Sequence, residues 1–208
     1  MIKSKSDYLY YLEADRIALG RKKWNWKSGI IDEIWVFERL LRKLEYYKNC
    51  KQKRIISKII YFILFYRFHR MSTQLGFSIP LNVFGPGLSI AHKGTIVVNG
   101  SARVGANCRI HVCTSIATKA GYTNKAPTIG NNVYIGPGAK IFGDIIITDD
   151  IAIGANSVVN KSFMESHITI AGIPAKKISN KGSEGLIIKG SEEIKLHAAT
   201  PPKRMKNS

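Results

Sequence analysis

Two rhythms of apolar residues divide this chain of 208 residues. Over the first third they return at three- and four-residue steps, the spacing that lines one face of an α-helix. The run from Tyr8 to Leu19 has this pattern, with Ser6 or Asp7 placed to cap its start and Gly20 to stop it. A second helix is predicted from about Ile30 to Asn49, with Ile31, Ile34, Trp35, Leu41 and Leu44 on or near one face. A third is predicted from roughly Gln52 to Arg70.

From about residue 80 the step becomes six. Val98, Val104, Ile110 and Ile116 form one series; Ile129, Ile135, Ile141, Ile147, Ile153 and Val159 form the next. Two places before most of these anchors stands a small or aliphatic residue: Ala102, Cys108, Thr114, Val133, Ala139, Ile145, Ile151, Ser157. A period of six fits neither a helix nor an isolated strand. It fits a solenoid whose short strands fill the three sides of a triangular coil, with aliphatic columns inside. Glycines after the anchors (Gly105, Gly130, Gly136, Gly154) are expected to help make the corners.

The register breaks once, between Ile116 and Ile129, where thirteen residues replace twelve. The segment Ala117 to Thr128 is therefore expected to leave the solenoid as a loop, a natural place for binding residues. The solenoid ends at Ala171-Gly172-Ile173-Pro174-Ala175-Lys176. Three regions follow: a basic α-helical domain (1–75), a β-solenoid (76–178) and a basic tail (179–208). In the tail Ile187, Ile188, Ile194 and Leu196 are candidates for added strands, and the last eight residues are expected to be mobile.

Composition narrows the class. Hydrophobic residues at 45% and charged residues at 22% describe a folded chain, not a disordered one. Three cysteines (Cys50, Cys108, Cys113) cannot form a fully paired disulfide framework and fit a reducing compartment. The first residues lack the apolar run of a signal peptide, so a cytoplasmic location is expected. The net charge of +18 lies mostly at the ends: +10 over residues 1–75, +3 over 76–174 and +5 over 175–208. Such a field favours anionic partners; no nucleic-acid-binding module is recognisable, and none is expected to bind.

Within the third predicted helix, Ile55 to Tyr66 is almost wholly apolar and is bracketed by Lys53, Arg54, Arg67 and Arg70. It is too short to span a membrane, which needs about 20 apolar residues. Two readings stay open: an interfacial helix resting on anionic lipid at the inner face of the membrane, or a helix buried between subunits.

Five histidines are candidates for chemistry: His69, His92, His111, His167 and His197. His92 and His111 are nineteen residues apart, about one coil of eighteen, and so are expected near one corner on adjacent coils, offset by one position. Both precede the loop. A histidine at an exposed corner suits a general base, because its pKa lies near working pH. Glu13 and Asp15, acidic residues in a basic domain, are candidates for orienting His92 or meeting an acceptor; ordinary pairing with Arg16 or nearby lysines is the alternative.

The six-residue repeat, Ser89-Ile90-Ala91-His92-Lys93-Gly94-Thr95-Ile96-Val97-Val98, the run Ile135 to Gly143 and the Ala-Gly-Ile-Pro-Ala-Lys ending resemble serine acetyltransferases. That family belongs to the left-handed β-helix, hexapeptide-repeat acyltransferases. The resemblance covers roughly residues 76–178. It implies a mainly β fold, a left-handed parallel β-helix with an N-terminal α-helical domain. It also implies a homotrimer with acetyl-CoA as co-substrate in a groove between subunits, and no metal. His92 matches the family's catalytic base, which takes a proton from the acceptor hydroxyl as that oxygen attacks the thioester directly. No acyl-enzyme is then needed, and Cys113 is read as interior packing. The positions matching acetyl-CoA contacts are Thr118, Lys119, Pro137, Ala155, Lys161 and Lys176. His111 is left to shape the acceptor pocket, share the base role or cap a coil.

Two departures bear on the acceptor. The family's orienting Asp, about fifteen residues before the histidine, has no counterpart in Gly76 to Asn82, and its acceptor-holding Arg-His pair corresponds to Lys125-Ala126. Together with the charge, these departures direct the expectation to an anionic glycan acceptor, as in bacterial O-acetyltransferases of capsule or O-antigen polysaccharides. Serine or a nucleotide sugar is the alternative acceptor. A zinc lyase resembling γ-class carbonic anhydrases is the remote one, since its three converging imidazoles would need His167 beside His92 and His111.

Overall fold

The computed structural model describes residues 1–22 and 32–199. Ile30 and Ile31, which open the second predicted helix, and the last eight residues lie outside them. Helix α1 (Lys5–Ala18) starts one turn earlier than the apolar pattern suggests, because Ser4 is its cap: its Oγ accepts from the Asp7 amide at 3.0 Å. Helix α2 (Glu33–Cys50) is capped by Asp32, whose side chain accepts from the Trp35 amide. Helix α3 (Ile55–Leu75) runs five residues beyond the predicted end and stops at Gly76, whose φ of +76° makes a left-handed C-cap.

The remainder is a three-sided left-handed β-helix. One side stacks β1 (Phe77–Ser78), β3 (Ile96–Val98), β6 (Thr114–Ala117), β9 (Lys140–Phe142) and β12 (Val158–Val159). The second stacks β4 (Arg103–Val104), β7 (Thr128–Ile129) and β10 (Ile146–Ile147). The third stacks β2 (Ser89–Ile90), β5 (Arg109–Ile110), β8 (Tyr134–Ile135), β11 (Ala152–Ile153) and β13 (Thr169–Gly172), closed by the antiparallel β14 (Ala175–Ser179). All other pairings of these strands are parallel, and anchors of the six-residue series face one another across them, Val98, Ile116, Ile141 and Val159 on one side and Ile110, Ile135 and Ile153 on another, where Ile90 and Ile170, outside the series, extend the column at its two ends. Every one of these nine side chains is buried. The residues two places earlier, from Ala102 to Ser157, are buried as well, so each strand feeds two interior layers.

The corners draw on more than the glycines after the anchors, which do stand in the turns that follow β4, β7, β8 and β11. Left-handed backbone is carried by Asn82, Asn107, Asn132, Asp150 and Asn156, with φ between +54° and +66°, since a short polar side chain tolerates this region by bonding locally. Asn107, Asn132 and Asp150 form a ladder from coil to coil, at 2.8 and 3.0 Å. Glycines share this task, as at Gly87 and Gly138 with φ of +83° and +78°, and others serve close approach: a Cβ on Gly105 would stand 2.6 Å from the Gly130 carbonyl oxygen.

The chain end also departs from expectation. Ile194 and Leu196 lie in helix α4 (Gly190–Ala199), not in strands, and Ile187 and Ile188 precede it without forming one. Helix α4 packs on α1, where the Tyr10 hydroxyl donates to the Ser191 carbonyl, and the Ser191 amide donates to Asn107 Oδ1 at 2.9 Å. Among the described residues no helix is long and apolar enough to cross a membrane.

Candidate active site

The first coil of a solenoid has amides with no coil beneath them to pair with. Here the helices supply carboxylates instead. Asp15 of α1 accepts from the Gly87 and Leu88 amides at 2.8 and 2.9 Å, Glu38 of α2 from the Ile90 amide at 3.0 Å, and Glu45 from the Asn82 amide at 2.7 Å. Arg42 turns the other way. Its guanidinium donates to the Phe84 and Gly85 carbonyls, to both Asp15 oxygens and to Glu45. All four side chains are buried, and such groups persist inside a protein only when paired and hydrogen-bonded. In sequence they are legible as charges at four- and three-residue steps (Glu38, Arg42, Glu45) beside the apolar Phe37, Leu41 and Leu44.

Asp15 is therefore an anchor of this junction, and not the group that orients His92 or meets an acceptor. Both its oxygens are engaged and it has no exposed surface. Burial pushes its carboxyl above the ordinary range against the pull of Arg42 and the two amides. Glu13 holds Arg16 in a two-pronged pair at 2.6 and 2.8 Å.

The segment so held carries the histidine edge. His92 is exposed, two residues after Ile90; on its far side Lys93 pairs with Glu33 at the start of α2. Ile90 faces Ile110 in register, which puts His111 opposite Ala91 and gives the offset of one expected from the spacing. The two imidazole centroids are 6.1 Å apart, and Tyr134, one coil further, sets its ring centroid 5.1 Å from that of His111, the two planes tilted by 59°. Tyr134 escaped the sequence reading because it alternates with the buried Ile135 like any outward residue of a strand. His111 is half-buried, and its Nε2 has no hydrogen-bond partner among the described residues. Burial lowers its pKa, with Arg109 and His92 adding to the effect, so it is neutral at pH 7.

The same edge continues through Pro137 and Ala155, exposed corners of the next two coils, where the Asn156 amide donates to the Pro137 carbonyl at 2.8 Å. Thr118, Lys119 and Lys161 stand on the next edge, after β6 and β12, and the structure does not bring them to His92 within one chain. Lys176 lies on β14 at the end of the helix. The loop is a larger excursion than one extra residue: Val104 pairs with Ile129 and Ile116 with Ile141, so this coil has twenty-five residues where Ile129 to Ile147 has eighteen. The Lys119 amide donates to the Lys125 carbonyl at 2.8 Å, closing the loop, and the Lys119 and Lys125 ammoniums lie 5.5 and 4.4 Å from the Tyr122 ring centroid. Cys113 is exposed at a left-handed corner, contrary to the interior position expected, and its carbonyl accepts from Lys140.

His167 is far along the solenoid. There Asp150, His167 and Glu184 bring donor atoms within 4.8 Å of one another, but the Lys189 ammonium lies 3.2 Å from Asp150 and already supplies a cation. No convergence of His167 with His92 and His111 exists.

No family model matches the chain. Known proteins do. A serine acetyltransferase of Staphylococcus xylosus is 33% identical over 141 residues, 66% of this chain and 60% of that protein. One of Synechococcus elongatus is 36% identical over 99 residues, 47% of this chain and 40% of that protein. The chain thus spans about half the length of the curated relatives it matches. Among solved structures, a serine acetyltransferase of Brucella abortus strain S19 in complex with coenzyme A superposes with a TM-score of 0.64 at 24% identity, covering 85% of this chain and 68% of the other. These relatives correct the polysaccharide expectation. They are named for serine, and most of the excess charge that suggested a glycan lies, in sequence, outside residues 76–174, the stretch that carries His92 and His111.

Proposed function

We propose that this chain transfers an acetyl group from acetyl-CoA to the hydroxyl of L-serine, with His92 as general base. One observation carries the reading: a match covering 66% of a 208-residue chain at 33% identity includes its middle, and there His92 and His111 share one exposed edge 6.1 Å apart.

In this reaction His92 takes the hydroxyl proton as the serine oxygen attacks the thioester carbonyl carbon. Backbone amides at the edge receive the developing oxyanion. The intermediate collapses by breaking the carbon–sulfur bond, and the coenzyme A thiolate recovers the proton from the His92 imidazolium. An ester forms, a thioester is lost and the base is regenerated. Lys125 supplies a cation for the serine carboxylate, the task of the Arg-His pair that this sequence lacks. Positioning of His92 falls to α2, whose Glu38 and Glu33 hold Ile90 and Lys93 on either side of it.

The trimer belongs to the same reading. Pro137 and Ala155 stand on the histidine edge and Thr118, Lys119 and Lys161 on the next, so a groove walled by both sets needs the edge of a second chain. The test is acetyl transfer followed by mass spectrometry, with acetyl-CoA, L-serine and His92→Ala as the comparison. O-acetylserine should form, and its rate should fall by about 10² to 10⁴ in the variant, the range for a lost general base. No acetylserine, or an unchanged rate in the variant, overturns the reading.

A further inference from the structure

Helix α3 buries little of itself. Leu64, Phe68 and Leu75 face the core, while Ile55, Ile56, Ile59, Phe62, Ile63 and Tyr66 are 54–77% exposed. They recur at three- and four-residue steps, so they make one continuous apolar stripe along the side away from the core. From Lys51 to Leu75 the sequence has six basic residues and no acidic one.

Alongside this stripe runs a cleft of about 330 Å³ between α1, α2 and α3, lined by Tyr8, Leu40, Leu64 and the cations Arg39, Lys43 and Arg67. Arg67 follows Ile63 by one helical turn, so the cleft and the stripe are contiguous. An apolar band bordered by cations has two plausible covers, and charge separates them. A second copy packed on the stripe through its own α3 would bring the six basic residues of one Lys51–Leu75 segment to the six of the other, with no carboxylate in either segment to pair them. An anionic bilayer accepts the apolar side chains at its acyl boundary and the cations among its phosphates. At 21 residues, α3 is about 32 Å long, and no described helix is long and apolar enough to cross a membrane, so a bilayer would meet the stripe along the side of the helix.

We propose that α3 and its basic cleft form a docking surface for an anionic phospholipid bilayer, with the helix in the plane of the interface. The inference is independent of the acyl-transfer reading and stands or falls without it. It is tested by sedimenting the full chain with vesicles of phosphatidylcholine alone, or of phosphatidylcholine mixed with phosphatidylglycerol, at low and high salt. Two double variants change only exposed side chains: Phe62→Ser with Ile63→Ser, and Lys43→Gln with Arg67→Gln. Circular dichroism verifies their folding and light scattering their mass. The parent chain should bind phosphatidylglycerol vesicles, less so at high salt; the Lys43→Gln, Arg67→Gln variant should partition about twenty-five-fold more weakly, at roughly fivefold per cation removed near an anionic surface, and the Phe62→Ser, Ile63→Ser variant about tenfold more weakly or worse, from the apolar area it withdraws from the acyl boundary. Three results overturn the proposal: a parent chain left in the supernatant, equal binding to neutral vesicles, or variants that bind like the parent. A fourth is a mass that falls in the Phe62→Ser, Ile63→Ser variant, which shows that a second copy covers the stripe.

Discussion

Arg42 and Asp15 meet at 2.7 Å with no exposed surface on either side chain. This contact joins α2 to α1, and each partner also reaches the first coil of the β-helix, Asp15 at the Gly87 and Leu88 amides and Arg42 at the Phe84 and Gly85 carbonyls. The helices are thus the missing neighbour of that coil. Burial alone would lower the Arg42 pKa, but Asp15 and Glu45 outweigh it and hold the guanidinium charged.

Arg42→Met should therefore be severe. The substitution leaves Asp15 and Glu45 buried without their cation and two carbonyls without a donor. Breaking one partner of a buried pair costs about 3–5 kcal/mol, read as a shift in the urea midpoint. Adding Asp15→Asn to Arg42→Met should cost less than the sum of the single changes, because the second removes the charge that the first strands.

Glu38→Gln separates a hydrogen bond from a charge. Burial raises the Glu38 carboxyl well above its ordinary 4.5; Asp15 adds to this, while the Ile90 amide and Arg42 oppose it. The folded chain then holds this proton more tightly than the unfolded chain does. Its contribution to stability is complete below pH 4.5 and is lost as pH rises toward the folded value. Glutamine keeps an acceptor for the Ile90 amide and does not titrate. Relative to the parent, the variant should gain stability steadily across this rise, from about pH 5 upward, in urea unfolding. A constant difference would show that Glu38 does not titrate in this window.

His111 gives the opposite slope. Its pKa is lowered from 6.5, by burial first and then by Arg109 and His92, so the fold favours the neutral ring. Its contribution is intact above pH 6.5 and is lost as the pH falls. The parent should lose stability on acidification below about pH 6.5 more steeply than His111→Gln does. The His111 ring resonances should titrate with a midpoint below 6.5.

How much of this was legible in the sequence follows from which forces are periodic. Val98 through Val159 announced the prism because one solenoid coil repeats one buried position per side, and the spacing of His92 and His111 placed them on one edge. The charges of α2 stand out in the sequence, but their partners do not: Asp15, Phe84 and Asn82 lie far along the chain from Arg42 and Glu45, and no local pattern encodes that pairing. Helix α4 was misread for a related reason: Ile194 and Leu196 take their place from packing on α1, not from the solenoid period. The acceptor expectation went astray because net charge sums over a whole surface while an acceptor is chosen at one edge.

The last prediction concerns the spacing of the coils that carry this edge. At Gly105 a Cβ would stand 2.6 Å from the Gly130 carbonyl oxygen and 2.7 Å from its carbon, atoms fixed in the backbone of the next coil. Gly105→Ala must push those coils apart, at a cost of about 1–3 kcal/mol or more for overpacking a rigid interior. Gly121, in the loop, has a φ of +81° and nothing within 4 Å of a new Cβ. Gly121→Ala should cost only the left-handed backbone penalty of about 1–2 kcal/mol, and the loop can relax part of that away. Thermal unfolding should therefore rank Gly105→Ala well below Gly121→Ala. Equal midpoints would mean that the coils yield, and that their close approach is not what selects glycine at position 105.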